Sequence, residues 1–157
     1  MTVAVWRIAV EAPACTANDL SGMGAKITGG RWNSVGVPVL YCATTIALAT
    51  LETVHTLRSG GLPFNRYLVR IELPDATWNA RQALDPPPGG WDTIPAGMTS
   101  RGAGDAWLAS LGSALLLVPS VIVPEECNVL LNPKHPDAAG VHASTLKRWH
   151  YDPRFFS

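Results

Sequence analysis

Residues 66–73, RYLVRIEL, alternate one by one, with Tyr67, Val69, Ile71 and Leu73 on one side and Arg70 and Glu72 on the other. A period of two marks a strand with one buried face. Upstream the period changes. Ala47, Leu48, Leu51, Val54 and Leu57 recur at helical spacing, with Thr44 or Thr45 as the N-cap and Ser59-Gly60-Gly61 as the stop. Strands and helices are mixed in this chain but do not alternate regularly, so the expected class is α+β with a compact mixed sheet. A length of 157 residues fits one domain, 1–157, and is enough to bury a core without staples.

The other elements follow from the same reading. Val3–Ile8 is a short apolar strand, Val37–Cys42 a buried strand, and Asn128–Leu131 another. Ala114–Val123 is an apolar strand region interrupted at Pro119-Ser120, and the tail, Leu146–Phe156, has room for a last strand. Asp105–Leu111 reads as a short helix with Trp107, Leu108 and Leu111 inward. Ala17–Trp32 holds Gly22, Gly24, Gly29 and Gly30 around Lys26 and before Arg31, and is expected to be a long ordered loop that feeds a site. Ala76–Gly97, with Pro86, Pro87, Pro88 and Pro95, reads as an irregular surface excursion.

Charge excludes some functions. Twelve Lys and Arg balance twelve Asp and Glu, so a non-specific nucleic-acid or membrane-surface role is disfavoured. The apolar fraction is 47% and the charged fraction 15%, which fits a surface partly covered by a partner. Cys15, Cys42 and Cys127 are odd in number and lack CxxC spacing, so reduced thiols in a cytoplasmic protein are expected and a metal site is not. Neither a signal peptide nor a transmembrane span is visible.

Several motifs are missing: there is no P-loop, no Rossmann turn, no HExxH and no GxSxG. His55, His135, His142 and His150 are scattered, and His55 reads as a packing residue. Lys26 and Arg31 among glycines make either a phosphate site or a solvated basic loop. Glu52 falls at the border of its helix's apolar arc. It is either a solvated helix residue or a fixed carboxylate that steadies an oxocarbenium-like state. Tyr41 is either a core tyrosine or a platform for a planar ring. Ser120, inside an apolar run, must find a hydrogen-bond partner.

In order along the chain, Trp6-Arg7-Ile8, SGMGA (21–25), GGRWN (29–33), Val39-Leu40-Tyr41, ALATLE (47–52), GDAWL (104–108), VPS (118–120), NVLLNP (128–133) and His135-Pro136 resemble the RES domain. The resemblance implies a fold similar to ADP-ribosyltransferases and a toxin from a bacterial toxin–antitoxin pair that degrades NAD⁺ by hydrolysis or phosphorolysis. It maps the family's Arg, Glu and Ser onto Arg31, Glu52 and Ser120. It further implies that Arg31, with Lys26, holds the pyrophosphate and that Tyr41 packs on nicotinamide. Ser120 would orient the ribose, Glu52 would bind its hydroxyls, and Asn33 joins the substrate-binding set. NAD⁺ is then the substrate, with no separate cofactor. The implied partner is an Xre-type helix-turn-helix antitoxin in a hetero-oligomer, with phosphate as one acceptor. The alternatives are a mono-ADP-ribosyltransferase that modifies a protein and a non-catalytic module that binds an antitoxin.

Overall fold

A computed structural model describes residues 1–54 and 64–156. The elements run β1 (Thr2–Val10), α1 (Met23–Thr28), β2 (Leu40–Ala43), α2 (Ile46–Val54), β3 (Arg66–Pro74), α3 (Asp75–Asn79), β4 (Gln82–Ala83), α4 (Met98–Ser110), β5 (Leu115–Pro119), β6 (Cys127–Leu131) and β7 (His142–Arg148). The strands form one sheet in the order β4-β5-β6-β2-β1-β3-β7. All neighbours pair antiparallel except β4 and β5. This is an α+β fold with a mixed sheet.

The period-two reading of β3 holds: Val69, Ile71 and Leu73 are fully buried and Arg70 is exposed. Alternation along every central strand sorts side chains onto two faces. Val5, Ala9, Cys42, Val69, Ile71, Leu115 and Val129 share one core. The opposite face carries two clusters. Trp32, Val39, Trp107, Leu108, Leu116, Val118 and Leu130 lie under α4. Ile8, Ala43, Leu48, Ala49, Leu68 and Tyr151 lie under α2.

β1 and β2 pair only at Trp6↔Ala43, whereas β1 and β3 pair along nine positions. The sheet is therefore open beside Tyr41. Arg7 reaches across this gap, and its Nη1 donates to the Tyr41 carbonyl at 3.3 Å.

Some expectations shift. The 17–32 segment is not all loop, because it contains α1. The 76–97 excursion begins within a short helix and includes a two-residue edge strand, while its proline-rich remainder is irregular. The helix expected at 105–111 starts earlier, at Met98. Its first half, MTSRGAG, has no apolar periodicity to reveal it. Leu111 does not face inward. It takes a left-handed conformation (φ 54°) just past the helix end and is exposed, because the chain turns away there. The last strand is His142–Arg148, upstream of most of the tail. Pro153 lacks the N–H a strand needs, and Pro153–Phe156 forms a 3₁₀ turn. His55, Leu57 and the Ser59-Gly60-Gly61 stop lie outside the described residues.

Candidate active site

The polar residues of interest gather along the seam between the two clusters on the α2/α4 face. α2 is capped by Thr45, whose Oγ1 accepts from the Leu48 N–H at 3.0 Å. Leu48 and Ala49 anchor the helix on β1, β2 and β3. Glu52, one turn beyond Leu48, is carried to the border of that packed face and points back at the sheet. Its Oε1 accepts from the Ser120 hydroxyl at 2.6 Å and from Asn128 Nδ2 at 2.8 Å. Its Oε2 accepts no hydrogen bond among the described residues.

Ser120 has its direction forced. It is fully buried at the end of β5, and its Oγ accepts from the Ile122 and Val123 N–H groups at 3.2 and 3.1 Å. With both lone pairs engaged, the hydroxyl proton is left for Glu52. The partner that an apolar run demands of a serine is here the carboxylate itself. Asn128 sits on β6 opposite Ala43. Tyr41 is two residues from Ala43 on the same face, about 7 Å along the strand.

Tyr41 connects this group to the glycine-rich segment. Its hydroxyl donates to Asn33 Oδ1 at 2.6 Å and accepts from the Trp32 N–H at 3.0 Å. Gly30 makes that approach possible, since a Cβ there would stand 2.7 Å from the Tyr41 hydroxyl. Burial pushes the phenol well above its usual range. Asn33 is itself fully buried, and its amide also donates to the carbonyls of Ala25 and Val37, both at 2.9 Å. Its side chain is thus committed to the shape of the loop, and any contribution to substrate binding runs through that loop.

Arg31 is half-buried. Its Nη1 donates to the carbonyls of Trp91 and Thr93 at 2.9 and 2.8 Å, while Trp91 stacks on the buried Trp32. The proline-rich excursion therefore holds this guanidinium in place. Nε and Nη2 make no hydrogen bond among the described residues, which leaves one two-toothed edge suited to a phosphate. Lys26 is exposed on α1. The structure thus brings Glu52 and Ser120 together, ties Tyr41 to Asn33, and fixes Arg31 through the excursion.

The loop is held from the other side by α4. Asp105 accepts from the Ser34 N–H at 2.9 Å and from its hydroxyl at 2.5 Å. Gly104 lies flush against the backbone of Trp32.

Three residues were not singled out as site candidates from sequence: Asn128, Asp105 and Arg7. Asn128 and Asp105 lie inside recognisable motifs, but their partners are far away in the chain. Arg7 carried a local signal, being a cation inside an apolar strand. Burial lowers its pKa, it has no ion-pair partner among the described residues, and its buried Nε has no hydrogen-bond partner. It alternates with Trp6 and Ile8 and so shares the Val5 and Ala9 face with the Cys42 core, away from Glu52.

A groove lined by Leu20, Ser21, Leu131, Pro133 and His135 lies on the opposite face and includes none of these residues. Among the described residues no three His, Cys, Asp or Glu side chains gather to hold a metal. Cys15, Cys42 and Cys127 are all free thiols. No helix among the described residues is long and apolar enough to cross a membrane.

In comparisons with known proteins, residues 4–153 match the family described as the RES domain. A protein of Sphingobium sp. (strain YBL2) named Prs ADP-ribosylating toxin is 57% identical over 156 residues, 98% of this chain and 97% of its own. A protein named Toxin Res from Yersinia enterocolitica is 40% identical over 119 residues, 76% of this chain and 78% of its own. Among solved structures, the M. tuberculosis MbcT–MbcA toxin–antitoxin complex contains a chain of the same fold. It matches with a TM-score of 0.62 at 15% identity, covering 98% of this chain and 86% of that one.

Proposed function

The chain belongs to the RES domain family, and from that premise we propose that it is a toxin that breaks the bond between nicotinamide and ribose in NAD⁺. The observation that carries this reading is the Glu52 carboxylate, held through one oxygen by Ser120 and Asn128 with the other left open. Breaking the bond sends its electron pair to the nicotinamide nitrogen, which neutralises the pyridinium and leaves positive charge on the sugar. A fixed carboxylate stabilises that charge without having to reorganise. Nicotinamide leaves as a neutral molecule, so no strong general acid is needed, and positioning supplies much of the rest.

In this scheme the open edge of Arg31 takes the pyrophosphate, with Lys26 as a further cation. The half-buried ring of Tyr41 stacks on nicotinamide. Ser120 works through Glu52, since its proton is already engaged there. No cofactor besides the NAD⁺ substrate enters the scheme.

The acceptor then attacks the cationic carbon and gives up a proton. Water yields ADP-ribose, and inorganic phosphate yields its phosphorylated form; either depletes NAD⁺. The 57% identity to a toxin named for ADP-ribosylating Prs supports a second reading, in which a Prs-type protein is the acceptor. Both readings share the bond that breaks and the same glutamate. A cytoplasmic site of action follows from the need for NAD⁺. An antitoxin is the expected partner, in line with the toxin names of the relatives and the solved toxin–antitoxin complex. The Xre helix-turn-helix class is our specific proposal for it.

The test is nicotinamide release by purified protein, with and without phosphate and with and without Prs. Products are separated by chromatography and Prs is weighed by mass spectrometry. Glu52→Gln keeps an acceptor for Ser120 and Asn128 but removes the charge. Its release rate is expected to fall by about 10²–10³ with the thermal midpoint unchanged. A folded Glu52→Gln protein that works at the parental rate refutes the assignment.

A further inference from the structure

We propose that Asn128 is a positioning residue that decides which oxygen of Glu52 does the chemistry, a proposal that rests on the reading of the site given above. Ser120 and Asn128 both donate to Oε1, at 2.6 and 2.8 Å, and nothing among the described residues donates to Oε2. One donor fixes a distance; two donors from different directions fix the plane of the carboxylate. They come from separate strands, Ser120 from the end of β5 and Asn128 from β6, where Asn128 pairs with Ala43 on one side and Val118 on the other. Asn128 therefore sits mid-sheet between two neighbours and cannot swing with a loop.

The carboxylate sits near the described end of α2, on the last turn before position 55. The helix alone leaves its terminal torsion broad. Asn128 removes that freedom and leaves Oε2 as the oxygen to which a ribose hydroxyl of the substrate can donate. Ser120 alone cannot do this, because a hydroxyl on one line permits rotation about that line.

The test uses the full chain freed of antitoxin, as Asn128→Ala and Asn128→Asp. A charge-assisted hydrogen bond of ordinary strength corresponds to about a ten- to hundred-fold effect. Asn128→Ala is expected to lose that much in kcat for nicotinamide release while KM for NAD⁺ changes less than about three-fold, because the groups that hold the phosphates are untouched. Asn128→Asp has the same shape but donates only when its new carboxyl is protonated. Its activity should therefore be lowest at neutral pH and recover as the pH falls, a profile that a merely structural role would not produce. A crystal structure of Asn128→Ala should show the Glu52 carboxylate turned from its parental plane. Unchanged kcat in Asn128→Ala, or equal losses in kcat and in binding with no acid recovery in Asn128→Asp, overturns the proposal. If the parent itself released no nicotinamide, the catalytic reading would fall. The crystallographic comparison would still decide this proposal, with an unmoved carboxylate counting against it.

Discussion

Two glycines of α4, two residues apart, should respond oppositely to the same substitution. A Cβ on Gly102 meets nothing within 4 Å. A Cβ on Gly104 would stand 2.6 Å from the Trp32 carbonyl carbon and 3.0 Å from its Cα, with the carbonyl oxygen nearer still. Non-bonded carbons rest at about 3.5 Å or more and the oxygen is the closer obstacle, so the helix or the GGRWN segment must retreat by more than about 1 Å. The obstacle is backbone and cannot change rotamer. Replacing glycine by alanine within a helix gains about 0.5–1 kcal/mol, which Gly102→Ala should deliver in full. Gly104→Ala has the same gain, opposed by about 1–3 kcal/mol or more for forcing atoms into a packed site. It also pulls Ser34 from Asp105, two hydrogen bonds of which one or both weaken. The expected net change is a loss of about 2 kcal/mol, and a gap between the two variants of about 3 kcal/mol. Urea unfolding of both proteins measures this through the midpoint. Nicotinamide release should fall in Gly104→Ala alone, because the retreating segment carries Arg31 away from its place. Equal stability in the two alanine variants would refute the argument that α4 positions this loop by direct backbone contact.

Tyr41→Phe removes the donor to Asn33 Oδ1 and the acceptor for the Trp32 N–H. With Asn33 fully buried, the change should cost about 1–3 kcal/mol in urea unfolding; a cost below about 0.5 kcal/mol would mean the loop does not depend on this link. The Cys42 thiol is pushed by burial from 9.0 to about 12. Above pH 9 the unfolded chain releases this proton while the folded chain keeps it, so Cys42 contributes stability that is complete below pH 9 and is lost as pH rises toward 12. Buried Tyr41 acts in the same direction. Cys42→Ala should lessen the alkaline fall by about one proton, read from unfolding midpoints across that range. In native protein at pH 8, a thiol reagent should label exposed Cys15 and reach Cys42 only on unfolding.

Whatever rested on local pattern was legible in the sequence. The alternation in residues 66–73, the apolar spacing of α2 and the Thr45 cap are set within a few residues, and the mixed class follows from them. The odd placement of Glu52, and the need of Ser120 for a partner, were legible for the same reason: a carboxylate beside an apolar arc and a hydroxyl within an apolar run are local oddities. What the sequence could not supply was anything that depends on residues distant in the chain. It left Glu52 between a solvated residue and a held one. Only the pairing of β6 with β2 and β5 brings Asn128 up to the carboxylate and leaves one oxygen open. The tie of Arg31 to the carbonyls of residues 91 and 93 spans some sixty residues. It uses backbone acceptors, which every residue has and no pattern marks. The early start of α4 was hidden for a related reason, since its first half carries no apolar period and its Gly104 is fitted to the backbone of Trp32, some seventy residues away. Periodicity reports which face of an element is buried; what it is buried against is decided when distant strands meet.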